Sequence, residues 1–254
     1  MKVEKWVIFN DSHHPYQDPI CVQLLLEFIR REKPYGIAIL GDVVDCYQMS
    51  SFLRDPSRIT NMRAELRQAE DFLRQVRSAS LNAQIWYLEG NHEKRIQKYI
   101  WKQAPELAGF DELDIENLLC FNDLGIKYFR QPKEYTNARD VPHLGDLYLY
   151  HGSVIRKHAG YSARAMYEKH GVSLMCGHTH RDGKYTVRTE RGHFAAWENY
   201  CLCKLNPSWL DFANWTQGFS VVTVVDNRPF VEQIPIISGS YIYGGRMYGV
   251  TDDQ

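Results

Sequence analysis

The sequence predicts an α/β fold that begins with a parallel sheet and continues into a β-rich second half. Over the first hundred residues, short apolar runs alternate with segments of helical periodicity, which is typical of a sheet built with right-handed crossovers. After residue 183, successive β-type segments with glycine-containing turns follow one another. Hydrophobic residues make up 44% of the 254 residues, so the chain can bury a core without disulfides.

The elements of the first half follow from the spacing of apolar residues. Short runs rich in β-branched and aromatic residues predict buried strands, and they lie at 5–9, 36–40 and 84–88. Apolar residues at helical spacing on a polar background predict helices, and these lie at 19–33, 61–78 and 93–102.

The second half is predicted to contain a strand at 147–150, a helix at 159–169 and a strand at 172–175. Further strands are predicted at 184–189, 193–197, 219–225 and 230–236, which indicates an antiparallel arrangement. We expect one domain over residues 1–254, with lid or insertion segments at 46–60, 104–146 and 181–218 as candidates.

The charge balance disfavours several classes of protein. Lys and Arg number 30 against 31 Asp and Glu, so an extended basic face that coats nucleic acid is not expected. The balance is compatible with an enzyme that acts on nucleic acid through a small local patch. No apolar run approaches the ~18 residues of a membrane helix, so no membrane partner is expected. The six cysteines form no Cys-x-x-Cys pair, and reduced thiols in the cytoplasm are the expectation.

Polar turns rich in Asp, Asn and His follow five of the predicted strands. These turns begin at Asn10, Gly41, Gly90, His151 and Gly177. In open α/β sheets the carboxyl ends of the strands form one rim, where ligands bind. We therefore expect the five turns to converge, although they are far apart in the sequence.

The turns offer seven candidate metal ligands, namely Asp11, His13, Asp42, Asn91, His151, His178 and His180. Imidazole nitrogen with carboxylate and amide oxygen, without thiolate, favours Mn, Fe or Zn over Ca or Mg. Seven ligands are too many for one tetrahedral ion but suit two ions that share a bridging carboxylate. Two ions about 3.5–4 Å apart can each bind a phosphoryl oxygen and hold a hydroxide aimed at phosphorus.

Five motifs, taken in order, resemble those of the calcineurin-like metallophosphoesterases over about residues 4–182. They are Asp-x-His at 11–13, Gly-Asp-x-x-Asp at 41–45, Gly-Asn-His-Glu at 90–93, His-Gly at 151–152 and Gly-His-x-His at 177–180. The resemblance implies two mixed β-sheets packed as a sandwich and flanked by helices, in the order α/β/β/α. It also implies two divalent transition-metal ions, with Mn preferred over Fe, Zn or Ni.

The resemblance assigns the candidate ligands to two metal sites. It implies that one ion is held by Asp11, His13 and His180, that the other is held by Asn91, His151 and His178, and that Asp42 bridges them. It further implies that His92 faces the leaving-group oxygen as general acid or charge stabiliser, oriented by Asp45. A carboxylate on the far nitrogen of a histidine raises its pKa and fixes its tautomer, although Asp45 could instead cap a helix. We infer in-line attack by a metal-bound hydroxide on a phosphate ester.

One departure from the family bears on the substrate. In the protein serine/threonine phosphatase branch, an arginine that grips the dianionic phosphate follows the Gly-Asp-x-x-Asp turn, whereas here Cys46 follows it. A diester carries one charge and needs that cation less, so the sequence favours a phosphodiesterase. Arg181 is the candidate substrate-binding residue. The alternatives are a phosphomonoesterase, including a phosphoprotein phosphatase, a nuclease, and a non-catalytic interaction module, for which gaps in the ligand set would be expected.

Several other features have two interpretations. Trp209, Phe212 and Trp215 could stack bases or fill the core, and residues 47–60 could form a lid or an ordinary loop. Glu93 is interpreted as an early helical residue that complements the helix dipole. The sequence does not specify an oligomeric state.

Overall fold

Two β-sheets pack face to face at the centre of the molecule, and helices cover their outer surfaces. The computed structural model describes residues 1–58, 61–130, 141–207 and 212–249. Its helices are α1 (Pro19–Glu32), α2 (Met62–Ala79), α3 (Glu93–Gln103), α4 (Ile115–Leu118) and α5 (Tyr161–His170). Its strands are β1 (Val3–Phe9), β2 (Gly36–Ile39), β3 (Gln84–Leu88), β4 (Ile126–Phe129), β5 (His143–Leu144), β6 (Leu147–Tyr150), β7 (Leu174–Cys176), β8 (Asp182–Thr189), β9 (Gly192–Asn199), β10 (Gln217–Val225), β11 (Arg228–Ile236), β12 (Ser240–Tyr243) and β13 (Arg246–Gly249).

Both large sheets are mixed. The first has the order β11-β10-β1-β2-β3-β4, and the second has the order β5-β6-β7-β9-β8. Strands β1 to β4 run parallel, while β10 pairs with β1 antiparallel. In the second sheet, β7 is parallel to both β6 and β9. The parallel strands of each sheet therefore present their carboxyl ends at one edge.

The buried apolar side chains form three hydrophobic clusters. Between the sheets, Trp6, Ile8 and Leu88 from the first sheet pack with Leu149 and Met175 from the second. A larger cluster lies between the first sheet and helices α1 and α2, and a smaller one lies between the second sheet and α5. This order of layers is the α/β/β/α sandwich that the sequence resemblance implied, and the predicted fold class is confirmed.

All the predicted elements are present, with ends shifted by at most two residues. The antiparallel arrangement predicted after residue 183 is present between β8 and β9 and between β10 and β11. Strand β9 also pairs parallel with β7, which was not predicted. The spacing of short strands does not encode which strands become neighbours, so this topology could not be derived from local pattern. Strands β4 and β5 and the β12–β13 hairpin were not predicted.

The three candidate lid or insertion segments contribute to different parts of the fold. Residues 46–58 include a 3-10 helix, Tyr47–Met49, close to the carboxyl end of β2. Segment 104–146 contributes β4 and β5 to the two sheets, and segment 181–218 contributes β8 and β9. Residues 59–60, 131–140 and 208–211 of these segments, including Trp209, lie outside the described residues.

All six cysteines fall within the described ranges, where they are free thiols. Across those same ranges, no helix has the length and apolar character needed to cross a membrane.

Candidate metal centre

The five polar turns meet at one edge of the sandwich. Three follow β1, β2 and β3 of the first sheet, and two follow β6 and β7 of the second. Backbone hydrogen bonds join neighbouring turns, from Asp11 N to Gly41 O at 3.1 Å and from His13 N to Asp42 O at 3.0 Å. The structure thereby brings together all seven side chains that the sequence singled out as ligand candidates, and we call these seven residues the candidate metal centre.

Left-handed backbone conformations aim these side chains at a common point. The φ angles of five members of the candidate metal centre are positive, at 53° for Asp11, 47° for His13, 53° for Asp42, 71° for His178 and 56° for His180. Non-glycine residues adopt such angles rarely, and they concentrate at functional sites where surrounding structure enforces them. The backbone of these turns therefore reverses the chain and also points the side chains at the centre.

One group of the centre consists of Asp11, His13 and His180. The Nε2 atoms of His13 and His180 lie 3.0 Å apart. Asp11 Oδ1 lies 3.5 Å from His180 Nε2 and 3.7 Å from His13 Nε2. One ligand atom from each of the three residues therefore faces a shared point.

A second group consists of Asn91, His151 and His178 around Asp42. His151 Nε2 lies 2.9 Å from Asn91 Oδ1 and 3.2 Å from Asp42 Oδ2. The ligand atoms of Asp42, His151 and His178 all lie within 4.8 Å of one another. Asp42 Oδ2 also lies 3.9 Å from His13 Nε2 in the first group. Asp42 therefore stands between the two groups, where a bridging carboxylate would be needed.

The hydrogen bonding around this centre is incomplete in a way that a cation would complete. His151 Nδ1 donates to Leu40 O at 2.7 Å, which turns Nε2, the nitrogen left for a metal ion, toward the oxygens of Asn91 and Asp42. Asp11 Oδ1 is buried and accepts no hydrogen bond from the described residues. Buried acceptors without donors are costly. The donor set of nitrogen and oxygen atoms fits a divalent transition metal.

The electrostatics of the centre favour positive charge. Although burial lowers the pKa of His151, Asp42 outweighs this effect and raises it to about 9. The pKa of His13 is likewise raised above its ordinary value, because Asp11 and Asp45 outweigh the effect of burial. Conversely, burial beside His151 lowers the pKa of His178 to about 4. Protons held on His13 and His151 indicate a negative potential at the points where metal ions would bind.

His92 and Asp45 lie beside the centre in a defined arrangement. His92 precedes α3, and its Nδ1 donates to Asp45 O at 2.7 Å and lies 3.2 Å from Asp45 Oδ1. Asp45 Oδ1 is also 3.2 Å from His13 Nδ1. One carboxylate thus contacts the far nitrogen of both rings, and this directs both Nε2 atoms toward Asp42, at 3.8 Å for His92.

Glu93 stabilises two of the turns that carry the candidate metal centre. It is the first residue of α3, as predicted, but its buried carboxylate does more than complement the helix dipole. It accepts hydrogen bonds from Asp42 N, Val43 N and Gly90 N at 3.0, 2.9 and 2.8 Å, and from the Tyr87 hydroxyl at 2.6 Å. Glu93 therefore fixes the turn that carries Asp42 against the turn that carries Asn91.

A cavity of about 470 Å³ opens beside this centre. His13, His92 and His180 are among its lining residues. The remaining described lining residues are Tyr16, Asp45, Tyr47, Ser50, Phe52, Leu53, Arg58, Arg95, Cys203, Lys204, Asn206, Pro207 and Trp215. The cavity gives a substrate access to His92 and to the first group of candidate ligands.

Arg181, the candidate substrate-binding residue, contacts other parts of the protein, and Arg95 lines the cavity instead. The Arg181 guanidinium donates to Arg156 O at 2.8 Å and Lys157 O at 3.1 Å, and it lies 3.6 Å from the buried Glu198 carboxylate. Glu198 needs a counter-charge, which directs the Arg181 side chain into the protein. Arg95, which sequence reasoning missed, lines the cavity with Nη2 3.1 Å from His92 Nε2. Its position three residues after His92 on α3 was the available signal.

The remaining motifs lie close to His180. Cys203 Sγ is 3.7 Å from His180 Nδ1, so the thiol contacts the far side of that ring. Cys201 and Cys203 are both buried. The Trp215 ring lies edge-on to the His180 ring with centroids 4.3 Å apart. Phe212 is 85% exposed and does not line the cavity.

Comparison with known proteins identifies the family and two viral relatives. A family model described as calcineurin-like phosphoesterase matches residues 5–182. The Gene 54 protein of Mycobacterium phage D29 is 28% identical over 257 residues, covering 96% of this chain and 98% of that protein. The Gene 54 protein of Mycobacterium phage L5 is 25% identical over 260 residues, with the same two coverages.

Comparison with solved structures found chains that match over most of their length. Vps29 of Entamoeba histolytica, complexed with zinc, has a TM-score of 0.46 at 13% identity and covers 97% of this chain and 98% of its own. Vps29 of Cryptosporidium parvum has a TM-score of 0.48 at 12% identity, with coverages of 98% and 96%. A dimetal phosphatase from Danio rerio has a TM-score of 0.46 at 11% identity, with coverages of 91% and 95%.

Replacing Glu93 tests its support of the centre. Glu93→Gln keeps the shape of the side chain but offers one acceptor oxygen in place of two and turns an NH₂ group toward backbone N–H donors. We expect metal affinity to fall about 10- to 100-fold, as for other residues that orient metal ligands. Competition with a chelating dye measures the affinity. Glu168→Gln on the surface of α5 is the control, and equal affinity in both folded variants would contradict the assignment.

Metal binding is expected to release protons. The metal-free protein holds a proton on His151 below its pKa of about 9, and a metal ion must displace it. Apparent affinity should therefore fall as the pH is lowered, by about tenfold per pH unit for each proton displaced. Calorimetry at pH 7 in two buffers of different ionisation enthalpy counts the protons released. Affinity that does not change between pH 8 and pH 6, with no proton release, would rule out this role for His151.

Proposed function

The chain belongs to the calcineurin-like phosphoesterase family, and we propose that it is a phosphodiesterase that uses two divalent transition-metal ions. The family supports hydrolysis of phosphate esters in general. The observation that carries the proposal is the convergence of seven ligand-type side chains from five turns, in two groups that share Asp42.

In this proposal the ligands divide as the geometry groups them. One ion would be held by Asp11, His13 and His180, and the other by Asn91, His151 and His178. Asp42, which lies between the two groups, would serve both ions. Mn is the first candidate, with Fe, Zn and Ni as the other candidates, since all accept nitrogen and oxygen donors. When bound, two such ions neutralise charge on the phosphoryl oxygens and activate water.

His92 is proposed to assist the leaving group through its Nε2 atom. Its Nδ1 is occupied by Asp45 O, so Nε2 is the ring atom directed at the cavity. Burial, only partly opposed by Asp42, lowers the pKa of His92. An anionic phosphate beside Nε2 favours the protonated ring, and substrate binding would thereby place a proton next to the leaving oxygen. Asp45 is a positioning residue for both His92 and His13.

The preference for diesters rests on the turn after Asp45. Cys46 is fully buried, so the position that carries a phosphate-gripping arginine in the phosphatase branch offers no cation here. Arg95 is the observation that favours the alternative, a phosphomonoesterase, because its guanidinium lies beside His92 in the cavity. That guanidinium already donates to Asp45 O at 2.7 Å, which makes it a support for Asp45 as well as a candidate phosphate contact.

Hydrolysis of two generic diesters tests both the activity and the role of His92. With added Mn, the chain should hydrolyse bis(p-nitrophenyl) phosphate and diphenyl phosphate, and EDTA should abolish both reactions. His92→Ala should reduce kcat about 10²- to 10⁴-fold on diphenyl phosphate, whose less acidic phenol needs a proton more. The loss on the nitrophenyl ester should be smaller, because nitrophenolate leaves without help.

His193→Ala, at an exposed position on β9, is the matched control and should leave both rates unchanged. Equal rates with Mn, with EDTA and in His92→Ala would overturn the proposal. A higher kcat/KM for p-nitrophenyl phosphate than for the diesters would replace it with the monoesterase alternative.

A further inference from the structure

We propose that the cavity beside the candidate metal centre binds a single-stranded nucleic acid and stacks one of its bases on Trp215. This inference rests on the proposed phosphodiesterase activity and names the class of diester that the site accepts. It is carried by three features of the cavity, namely an aromatic side chain beside His180, further aromatic residues in the lining, and cations beyond those a single diester needs.

Trp215 is held directly against the candidate metal centre. Its ring is partly exposed, lines the cavity and lies 4.3 Å from the His180 ring, centroid to centroid. The next residue fixes the backbone, because Thr216 N donates to His180 O at 2.8 Å and Thr216 O accepts from Cys201 N at 3.0 Å. A rigid indole at this distance from a candidate ligand can stack a group attached to the phosphate that the metal centre would bind.

The cavity lining contains further aromatic residues. Tyr16 and Tyr47 belong to it, and the Arg58 guanidinium lies 4.0 Å from the Tyr47 ring centroid and 5.9 Å from that of Tyr16. The Tyr47 hydroxyl accepts a hydrogen bond from Asp55 N at 2.7 Å, which joins the 50–55 loop to Tyr47. Phe52, another lining residue, is 78% exposed. Flat aromatic and guanidinium surfaces interleaved in this way suit nucleobases.

The charge of the cavity exceeds what one diester requires. Arg58, Arg95 and Lys204 all line it. Among the described lining residues Asp45 is the one acid, and its Oδ1 faces His13 and His92. A diester carries one negative charge, which two divalent ions already offset. The three added cations therefore fit neighbouring phosphates of a longer strand, although the chain as a whole has a net charge of −1.

The position of Trp215 selects a single strand over a duplex. A base in a duplex is stacked on both faces and must be unstacked before a side chain can cover it. Trp215 stands inside a cavity beside His180 rather than on an open surface. An unpaired strand can place a base there without that cost, whereas a duplex cannot enter with its bases stacked.

Fluorescence anisotropy with labelled oligonucleotides tests the inference in EDTA, where cleavage is blocked. Oligothymidylate or oligouridylate should bind, and binding of either sugar type supports the proposal. Trp215→Ala should weaken binding about 5- to 100-fold, as expected for loss of one stacked base. Trp215→Phe should restore part of the affinity, which separates stacking from a folding defect. Phe212→Ala, an exposed aromatic outside the cavity, should bind like the wild type.

The salt dependence of binding tests the cations. In Lys204→Gln, the slope of log K against log salt concentration should become less negative by about 0.7, the value for one phosphate contact with a single strand. Lys169→Gln on the exposed face of α5 should leave the slope unchanged. Equal slopes in both variants would show that Lys204 does not contact the oligonucleotide.

Several outcomes would overturn the inference while leaving the proposed activity intact. These are hydrolysis of diphenyl phosphate without binding of any oligonucleotide, wild-type binding by Trp215→Ala, tighter binding of duplex than of single strand, or preferential binding of a cyclic nucleotide. Failure of diphenyl phosphate hydrolysis together with tight, Trp215-dependent oligonucleotide binding would instead overturn the activity and keep the binding site.

Discussion

The organisation of this molecule depends on a buried cluster of carboxylate and imidazole groups that needs positive charge among its members. Asp11 and Asp42 are fully buried carboxylates, and the imidazole nitrogens of His13, His151 and His180 face them at 3.2 to 3.9 Å. In a low-dielectric interior such a cluster is unstable unless positive charge lies among its members. Protons supply that charge on His13 and His151 in the metal-free protein, and divalent ions fit the same points.

Holding the cluster together places demands on the surrounding fold. Left-handed backbone at five of the candidate ligands is costly, and the structure compensates with hydrogen bonds between turns that belong to distant parts of the chain. The Glu93 carboxylate joins the Asp42 and Gly90 turns, while Asp11 Oδ2 accepts from His178 N at 2.7 Å and so links the two sheets. A Cβ on Gly177 would lie 2.9 Å from Asp11 Oδ2, so this link requires glycine there. The sandwich and the site are thus stabilised by the same contacts.

The sequence could predict those features that are determined by residues close together in the chain. Strands β1, β2 and β3 were predictable because each is a fully or largely buried apolar run, and their polar turns followed from the rule that ligands gather at strand carboxyl ends. The pairing of β10 with β1 joins residues more than 200 positions apart, and no local signal encodes it. The directions of Arg95 and Arg181 depend on the phase of α3 and on the buried charge of Glu198. Both are tertiary properties, and this is why the position of Arg95 in the cavity lining was missed.

Anomalous diffraction from crystals of the Mn-loaded chain tests the central claim most directly. The account predicts two peaks, one in contact with Asp11, His13 and His180 and the other with Asn91, His151 and His178, with Asp42 contacting both. The absence of any peak, or a single ion that does not contact Asp42, would contradict it.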